Sequence, residues 1–450
     1  MQGNRFFSRE EAQALARRVL SFSTAEQARV NLQSGMQGNT RFAVNQVSTA
    51  GDVYDASVTV TSAFGKRVAS ATTNRFDDEA LRQAVQTSER LARLVPEDPE
   101  YLGELDPQQY SEYRGFAQGT VSVTPEDRAR AVAAVAGPAA QRSLLATGFI
   151  SHFAGSQAVA NSKGLFAYLQ GTGANYTTTV RTPDGTGSGW AGVGHVDWAQ
   201  IDPAELARRA IQKAEASREP RAVEPGKWTV ILEPTAVANL VSLMMFSLNA
   251  RAADEGRSFF SKQGGGNKIG EKIVDARVTI HSDPADPALS TAPFDFQGLP
   301  NRREVWIENG VVKNLVYNRF WAQRNNRQPT GFVSGYSMSG GDATIEQMIE
   351  STERGLLVTR LWYIRSVDPR TILFTGLTRD GTFLIENGRI TTAVKNLRWN
   401  ESPIFLLNSI EALGRPVRVS ASEDGNFNNT VIVPPVKARD FTFTSLSDAV

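Results

Sequence analysis

The chain contains three histidines, the side chains best suited to acid–base or metal chemistry near neutral pH. His152, His195 and His281 are far apart in sequence, and none has a second histidine or a carboxylate at the spacing of ligands on one helix. The nearest candidate metal cluster is His281 with Asp283 and Asp286. Each of these aspartates precedes a proline, which favours turn or extended backbone. Two turns leaving a strand are therefore the simpler interpretation, and a metal site is the alternative.

Two other kinds of site lack their usual signatures. A serine nucleophile favours a Gly-x-Ser-x-Gly elbow at a strand-to-helix turn, and no such elbow stands at a predicted turn of this kind. A triad assembled from distant residues remains open. The glycine-rich segment 185–189 suggests a phosphate loop, but no Lys-Ser/Thr follows it and no helix begins directly behind it. We interpret this segment as a mobile hairpin tip.

A strand followed by a buried helix is the element that could position a site. Residues 227–232 are apolar and β-branched, as in a buried strand, and Glu233-Pro234 follows, with proline suited to the first helical turn. Between residues 236 and 250, apolar side chains recur three and four apart, which predicts a helix with a wide buried stripe. Because free N–H groups lie at a helix N-terminus, this turn is a candidate ligand site.

This order of elements, followed by Gly-Arg-Ser-Phe-Phe-Ser at 256–261, resembles the core of the TldD/PmbA family, called modulator of DNA gyrase in older naming. The similarity covers most of the chain, from about residue 25 to about residue 443. Three further segments are similar to the family: Arg-Phe-Ala-Val-Asn at 41–45, Pro-Phe-Asp-Phe-Gln-Gly-Leu-Pro at 293–300 and Leu-Ile-Glu-Asn-Gly-Arg at 384–389.

In the TldD branch, the strand-to-helix turn carries His-Glu-x-x-x-His, and a cysteine near the C-terminus completes the metal site. In this sequence Glu233, Pro234 and Ala238 stand at the three motif positions. Proline and alanine can neither bind Zn²⁺ nor act as a general base, and the chain has no cysteine. The resemblance therefore implies the PmbA/TldE-like branch, with no catalytic residue at these positions, no metal site and no cofactor.

The resemblance also implies that the 256–261 loop lies beside the active chamber, close to the Glu233 turn. We therefore predict that Arg257, Ser258 and Phe259 contact substrate, with the Arg257 guanidinium suited to a peptide carboxylate. Phe259 could instead be part of the core. A second candidate peptide contact is the aromatic, glycine-containing segment 332–341, which could present a free strand edge.

Charge and cysteine content restrict the partners and the compartment. The 48 Lys and Arg residues balance 47 Asp and Glu residues, and no dense basic run is present, so we predict no nucleic-acid surface. The lack of cysteine fits a reducing compartment. The first residues lack the apolar core of a signal peptide, and the most apolar segment, 236–248, is too short to cross a bilayer. We therefore expect a cytoplasmic protein without membrane contact.

The remaining patterns predict an α+β fold with an N-terminal domain (1–222) and a C-terminal domain (223–450), divided at the charged, proline-containing segment 215–227. The N-terminal domain is predicted as an α/β sheet with helices packed on it. The features that indicate it are helix starts at Ser8, at Asp77 or Asp78, at Thr124 and at Asp202, and turns at Gly35, Gly38, Gly51 and Gly65.

The C-terminal domain is predicted as a largely antiparallel, barrel-like sheet around a central buried helix. Two Asn-Gly pairs, at 309–310 and 387–388, favour tight hairpins because both turn positions need positive φ. The other predicted elements are strands at 274–281, 417–420, 430–433 and 440–444 and helices at 344–354 and 405–413.

Two functions follow from the resemblance. The favoured one is a TldE/PmbA-like, metal-free subunit that completes the peptide-degrading chamber of a TldD-type metallopeptidase acting on small unfolded peptides. Such a chain would be inactive alone. The alternative is a stand-alone, non-catalytic homodimer that binds peptides or another ligand. A peptidase that uses other residues is a less favoured third possibility. Because partner choice depends on surface shape, the sequence leaves the first two open.

Overall fold

The computed structural model describes residues 6–333, 335–419 and 430–447 of the chain. Its mixed α+β architecture confirms the predicted fold class. The α-helices are α1 (Arg9–Leu20), α2 (Asp78–Leu94), α3 (Gln118–Val121), α4 (Pro125–Gln141), α5 (Pro203–Ala216), α6 (Pro234–Phe246), α7 (Ala250–Asp254), α8 (Arg319–Arg324), α9 (Ile345–Glu350) and α10 (Pro403–Asn408), with a short 3₁₀ helix at Trp198–Gln200.

The longer N-terminal helices begin where the sequence predicts, because a polar side chain caps each one. At α1, the Ser8 hydroxyl accepts from Glu11 N at 3.2 Å, while Ser8 N donates to the Glu11 carboxylate at 2.8 Å. This reciprocal pair is a capping box. The caps of α2, α4 and α5 are Asp77, Thr124 and Asp202.

The N-terminal strands form one antiparallel sheet in the order β3-β2-β1-β4-β5-β6. They are β1 (Gln27–Ala43), β2 (Gln46–Phe64), β3 (Arg67–Thr73), β4 (Leu145–Asn161), β5 (Phe166–Arg181) and β6 (Ser188–His195). The prediction that Gly35, Gly38 and Gly51 mark turns is wrong, because all three lie inside β1 or β2. The chain turns instead at Val44 and Asn45, both with positive φ.

Close approaches across the sheet explain two of these internal glycines. A Cβ at Gly35 would lie 2.8 Å from the carbonyl oxygen of Ala154 on β4. A Cβ at Gly38 would overlap the side chains of His152 and Arg128. Both contacts join segments more than 80 residues apart, so local sequence patterns could not distinguish these glycines from turn glycines.

The two faces of this sheet have different neighbours. Alternate residues of β1, such as Val30, Leu32 and Phe42, are buried against the helices α1, α2, α4 and α5. The intervening residues are mostly polar and face segments from the C-terminal half. Asn31 Nδ2, for example, donates to Phe296 O at 2.7 Å. Helices therefore cover one face, as predicted, and the polar face turns towards the rest of the chain.

The C-terminal half contains two further sheets, ordered β10-β9-β8-β11-β20-β19 and β13-β14-β17-β21-β7-β12-β15-β16, with β18 paired to β21. Their strands are β7 (Gly226–Leu232), β8 (Ile280–Ser282), β9 (Glu304–Glu308), β10 (Val311–Val312), β11 (Gly335–Met338), β12 (Arg354–Val358), β13 (Leu361–Asp368), β14 (Leu373–Thr378), β15 (Thr382–Glu386), β16 (Arg389–Ala393), β17 (Leu397–Glu401), β18 (Ile410–Leu413), β19 (Val417–Val419), β20 (Thr430–Val433) and β21 (Val436–Leu446). The β7–β12 and β11–β20 pairs are parallel and the other described pairs are antiparallel, which confirms a largely antiparallel domain.

The helix α6 is the predicted central buried helix. Nearly all of its residues are buried, including Ala236, Leu240, Val241 and Met244 with no exposed surface. A helix that is apolar on every side packs inside a core rather than on its surface. In the parts of the chain that the structure describes, no helix combines the length and apolarity that a membrane crossing needs.

Both predicted Asn-Gly hairpins are confirmed, with φ of 51° at Asn309 and at Asn387. Several other predictions for this half are wrong in extent. Only residues 280 and 281 of the strand predicted at 274–281 pair in a sheet, as part of β8. The helix predicted at 344–354 ends at Glu350, before the strand β12. The helix predicted at 405–413 ends at Asn408, because the residues after it form β18 and pair with β21.

The predicted peptide-accepting edge at 332–341 is also wrong for its central residues. β11 pairs with β8 on one side and with β20 on the other, so its backbone groups are already used within the sheet. Ser334, within this segment, lies outside the described residues. So does Ser420, the last residue of the strand predicted at 417–420.

Candidate functional site

The turn between β7 and α6 is held by backbone hydrogen bonds of Glu233. Glu233 is the N-cap of α6, with extended backbone (φ −62°, ψ 156°), and Pro234 occupies the first turn. Glu233 N donates to Val358 O on β12 at 3.0 Å, while the Glu233 carbonyl accepts from Ala236 and Val237. The Glu233 side chain makes no capping bond, so its carboxylate is available to another partner.

That partner is Lys213 on α5. Lys213 Nζ donates to Glu233 Oε2 at 2.6 Å, and the two side chains are only 14% and 13% exposed. A short, charge-assisted hydrogen bond between mostly buried groups holds both side chains in place. The Glu233 carboxylate therefore anchors the turn to the N-terminal half of the molecule.

Ala238 lies one turn into α6 and is fully buried. The polar groups around it are used in structural contacts. Tyr336 Oη lies 2.8 Å from Ser242 Oγ, and Asn239 Nδ2 donates to Leu361 O at 3.1 Å. The third motif position is thus a core position, packed inside the C-terminal domain.

The three motif positions do not fit a metal ion. Pro234 and Ala238 have no donor atom, and the Glu233 carboxylate is paired with Lys213. Across residues 6–333, 335–419 and 430–447, no group of three or more His, Cys, Asp or Glu side chains is arranged to hold a metal. No reaction step through a metal follows from these residues.

A second polar contact joins the two halves of the molecule near this turn. Arg360, just after β12, pairs with the buried Asp380. Its guanidinium lies over the rings of Trp190 and Trp362, 4.8 and 4.6 Å from their centroids. Ser188, at the start of β6, donates to Asp380 Oδ1 at 2.5 Å. Sequence reasoning missed this cluster, because no local pattern links residues so distant along the chain.

The loop at 256–261 lies beyond the other end of α6. Arg257 is 61% exposed and pairs with Glu255, and the Ser258 hydroxyl accepts from Phe260 N at 3.2 Å. Phe259 is partly buried, with Lys268 Nζ 3.6 Å from its ring centroid. The 13 residues of α6 span about 20 Å, so the length of this helix lies between the loop and Glu233, the N-cap of α6. The predicted substrate contacts of Arg257, Ser258 and Phe259 stay a prediction.

The candidate metal cluster at His281 is built from turns. The Asp283 carboxylate accepts from Ala285 N at 2.9 Å, and the Asp286 carboxylate accepts from Ala288 N at 2.8 Å. Each aspartate thus hydrogen-bonds to the backbone two residues on, as the Asp-Pro pairs predict.

His152 belongs to a buried cluster that the sequence did not indicate. Arg128, fully buried, donates from Nη2 to Asp52 Oδ1 at 2.7 Å and from Nε to Thr40 Oγ1 at 3.0 Å. Arg128 Nη1 lies 3.4 Å from His152 Nδ1. Burial, and then the positive charge of Arg128, lower the pKa of His152 to about 4. His152 is therefore neutral at pH 7 and packs beside Gly38.

The glycines at 185–189 connect β5 to β6, as a hairpin tip does. A Cβ at Gly187 or Gly189 would overlap the carbonyl oxygens of Ala214 or Ala210 on α5. The close approach of this hairpin to α5 therefore accounts for both glycines without a phosphate ligand.

A cavity of about 550 Å³ lies between the polar face of the N-terminal sheet and segments of the C-terminal half. Residues of β1, β2, β4, β5 and β6 form its floor, and residues near Ser290 and Arg418 cover it. His195 lines this cavity, whereas Glu233 and Arg257 do not. Sequence reasoning named His195 but had no signal for the cavity, which two distant segments build together.

Comparison with known families identifies three matching regions. Residues 30–92 match the PmbA/TldA metallopeptidase domain 1, residues 122–218 the central domain and residues 225–445 the C-terminal domain of the same family. Together these regions cover most of the chain.

Curated relatives with this similarity include a metalloprotease of Methanothermobacter thermautotrophicus, 23% identical over 265 residues (53% of this chain and 55% of the relative). Another is Metalloprotease PmbA of Escherichia coli O157:H7, 24% identical over 200 residues (43% of this chain and 41% of the relative). The chain spans about half the length of these curated relatives.

Two solved structures share the fold over nearly their whole length. TldE from Thermococcus kodakarensis superposes with a TM-score of 0.83 at 20% identity, covering 96% of this chain and 99% of that one. A putative modulator of DNA gyrase from Thermotoga maritima has a TM-score of 0.83 at 18% identity, covering 96% and 100%. At such identities the likeness concerns the fold.

Proposed function

The chain belongs to the PmbA/TldD metallopeptidase family, and from this premise we propose that it is a metal-free, TldE-like subunit. It completes the peptide-degrading chamber of a TldD-type metallopeptidase that acts on small unfolded peptides. The observation that carries the proposal is the replacement of the metal motif by Glu233, Pro234 and Ala238, in a fold that keeps the strand, turn and helix around it.

The contacts of the turn support a structural role for these positions. Glu233 is paired with Lys213, and Ala238 is packed in the core. Among the described residues at the three motif positions, Glu233 has the one carboxylate, and that carboxylate is already paired. Arg257, Ser258 and Phe259 would contribute to the chamber wall or to the contact with the partner.

An exposed strand edge supports the partnership. Residues 46–57 of β2 pair with β1 on one side, whereas β3 pairs only from Val58 onwards. Val47, Val53 and Tyr54 are 47%, 61% and 44% exposed along this edge. A long edge with apolar side chains is suited to pairing with another chain.

The experiment that tests this function measures zinc and peptidase activity for the chain alone and with a metal-bearing paralogue from its native host. We expect far less than one zinc per chain by elemental analysis, and no cleavage of unstructured peptides by the isolated chain. Capture of the paralogue, and peptide cleavage that requires both chains, would support the proposal. Stoichiometric zinc that survives dialysis, or cleavage by the chain alone that a single substitution abolishes, would overturn it.

A stand-alone, non-catalytic homodimer that binds a peptide or another ligand is the second candidate. The cavity on the polar face of the N-terminal sheet favours it, because a ligand could bind there without a partner subunit. Failure to capture any metal-bearing paralogue, together with a homodimer in solution, would favour this candidate over the first.

A further inference from the structure

A row of glycines crosses the floor of the cavity on the polar face of the N-terminal sheet. Gly35 on β1 stands opposite Gly155 on β4, and Gly155 stands opposite Gly171 on β5. Cβ atoms at Gly35 and Gly155 would press on the backbone of the neighbouring strand. A Cβ at Gly171 would come within 3.2 Å of Tyr113 Oη. Close packing explains the glycines, and their row leaves a stretch of floor without side chains, which we call the glycine trough.

Amide side chains border the glycine trough along the strands. Because side chains alternate between the two faces of a strand, Gln33 and Gln37, on either side of Gly35, lie on the face of the trough. They are about 13 Å apart, from four residues at about 3.3 Å each. Gln157 stands opposite Gln33 on β4. All three amides are exposed, line the cavity and make no hydrogen bond with another described residue. They are therefore available to a ligand.

A carboxylate stands at the β2 end of the glycine trough. Asp55 is opposite Gly35 and lines the cavity. Its Oδ1 accepts from Ala56 N at 2.9 Å, and no ion pair within the described ranges neutralises it. This end of the cavity therefore offers a hydrogen-bond acceptor with a negative charge.

A guanidinium lines the cavity from the C-terminal half. Arg418 is partly buried on β19, which packs against β6. It donates from Nη1 to Thr430 Oγ1 at 2.9 Å and from Nη2 to Ala288 O, both of them neutral acceptors. A guanidinium has five N–H donors, so three have no acceptor in the described part of the chain. No described carboxylate pairs with Arg418, and its charge is therefore available to an anionic ligand.

We propose that this cavity binds a sugar acid, a small molecule with several hydroxyl groups and one carboxylate. The Arg418 guanidinium only donates hydrogen bonds and pairs best with a carboxylate. The ionised Asp55 side chain only accepts, whereas each glutamine amide both donates and accepts. A hydroxyl also donates and accepts, so several hydroxyls on one ligand satisfy Asp55 and the amides together. Phe153 and Tyr113, which also line the cavity, supply apolar surface for the carbon atoms of the ligand.

The shape of the site favours a compact ligand over an extended chain. The backbone groups of β1, β4 and β5 pair with one another, so recognition on this face depends on side chains. The trough is about 14 Å long from β2 to β5, at about 4.8 Å per strand spacing, and is thus about as long as it is wide. The cavity volume of about 550 Å³ lies within the range of small-ligand sites. The inference goes beyond the proposed subunit role, which requires no small molecule in this cavity.

The test is a calorimetric titration of the full chain with D-glucuronate, D-galacturonate and D-gluconate. Matched probes are the neutral amide of the acid that binds most tightly, and acetate and the dipeptide Ala-Ala, which have a carboxylate without hydroxyls. We expect at least one sugar acid to bind. Its amide should bind about 10- to 100-fold more weakly, because the charge-assisted hydrogen bonds to Arg418 are lost. Acetate and Ala-Ala should also bind at least about 10-fold more weakly, because they leave the glutamine amides without partners.

Three results would overturn the proposal. The first is no binding of any of the three sugar acids up to roughly 10 mM. The second is equal affinity for the acid and its amide. The third is binding of acetate or Ala-Ala as tight as that of the sugar acid. None of these results would affect the subunit role, which is tested by zinc content and by capture of a paralogue.

Variants of the chain separate the two kinds of contact. Arg418→Gln should weaken the sugar acid by about 10- to 100-fold and remove its advantage over the amide. The matched control is Arg415→Gln, where the side chain is 81% exposed beside Asp342, and we expect no change there. An unchanged acid-to-amide ratio in Arg418→Gln, with a wild-type unfolding midpoint, would contradict the assignment of the carboxylate to this residue and overturn the proposal.

Gln157→Leu tests the hydroxyl contacts. It should weaken the acid and the amide alike, by roughly 2- to 10-fold, and leave their ratio unchanged. Gln86→Leu is the control, because Gln86 is exposed on α2, which packs on the opposite face of the sheet. Equal affinities of the folded Gln157→Leu and Gln86→Leu variants for the sugar acid would also overturn the proposal.

Discussion

Lys213 Nζ lies 2.6 Å from Glu233 Oε2, so an ion pair joins the helix α5 of the N-terminal half to the turn that begins α6. Both side chains are mostly buried, and no other charged group of the described residues lies within ion-pair distance of either. The position that the resemblance aligns with a metal ligand of the TldD branch therefore holds a residue that pairs with α5. The contact makes this turn a structural junction, and it can be tested by its effect on stability.

The first prediction concerns this pair. Lys213→Met should leave the Glu233 carboxylate buried without its partner and destabilise the fold by about 3 kcal/mol or more. The double variant Lys213→Met/Glu233→Gln should recover most of that loss. Chemical unfolding of the single and the double variant measures the loss in the free energy of unfolding and its recovery. The control is Arg208→Met on the same helix, whose pair with Glu205 is exposed and should contribute far less. Equal losses for Lys213→Met and Arg208→Met would contradict the prediction.

The second prediction concerns Glu401, a carboxyl group on β17 that is 2% exposed. Burial raises its pKa from 4.5 to about 7, although Ser402 N and Thr442 N donate to it. Because the folded state then binds more protons than the unfolded state between these two pKa values, stability falls as pH rises through that window. This pKa shift corresponds to a loss of roughly 3 kcal/mol in the free energy of unfolding across the window.

Glu401→Gln should remove this pH dependence, since the amide does not ionise. Urea unfolding at about pH 5 and about pH 7.5 measures the difference, with Glu386→Gln at an exposed site of β15 as the control. The prediction fails if wild type and Glu401→Gln lose the same stability between the two pH values.

The third prediction concerns the glycine beside the buried Arg128 cluster. A Cβ at Gly38 would overlap Arg128 and His152 and come within 2.6 Å of Asp52 Oδ1. Gly38→Ala should therefore displace the Arg128 guanidinium from its partners and destabilise the fold by about 2–4 kcal/mol. Gly51→Ala, in the same hairpin, meets no atom within 4 Å and should change stability by about 0.5 kcal/mol or less. Similar unfolding midpoints for the two variants would refute this account.

The fourth prediction concerns assembly. We expect a dimer, with itself or with an active paralogue, through an interface well over about 1,000 Å². If the exposed edge of β2 contributes, Val47→Lys should weaken the dimer, because a charged side chain opposes edge pairing. Leu94→Lys, at the 76% exposed end of α2, is the control. Light scattering that gives a monomer at micromolar concentration, with no paralogue captured, would contradict this prediction.

Short-range features of the fold could be predicted, because their determinants lie within a few residues. Ser8 and Glu11 cap α1 through a reciprocal pair three residues apart. The Asn-Gly pair at 387–388 specifies its hairpin through two positive φ values. The same holds for the candidate site. Pro234 begins α6 in the first turn, and the side chains of Pro234 and Ala238, at two of the three motif positions, have no metal-binding atom. Such features depend on covalent geometry and local hydrogen bonds, which the sequence by itself determines.

Long-range features were decided only by the tertiary structure. Gly38 lies within a strand because Arg128 and His152, from other elements, occupy the space that a side chain would need. Lys213 meets Glu233 because the fold brings α5 beside the turn between β7 and α6, although the two residues lie on different elements. Each contact depends on the relative placement of elements whose packing energy is spread over many residues. The sequence around either partner does not indicate the contact, so it can be seen only in the folded chain.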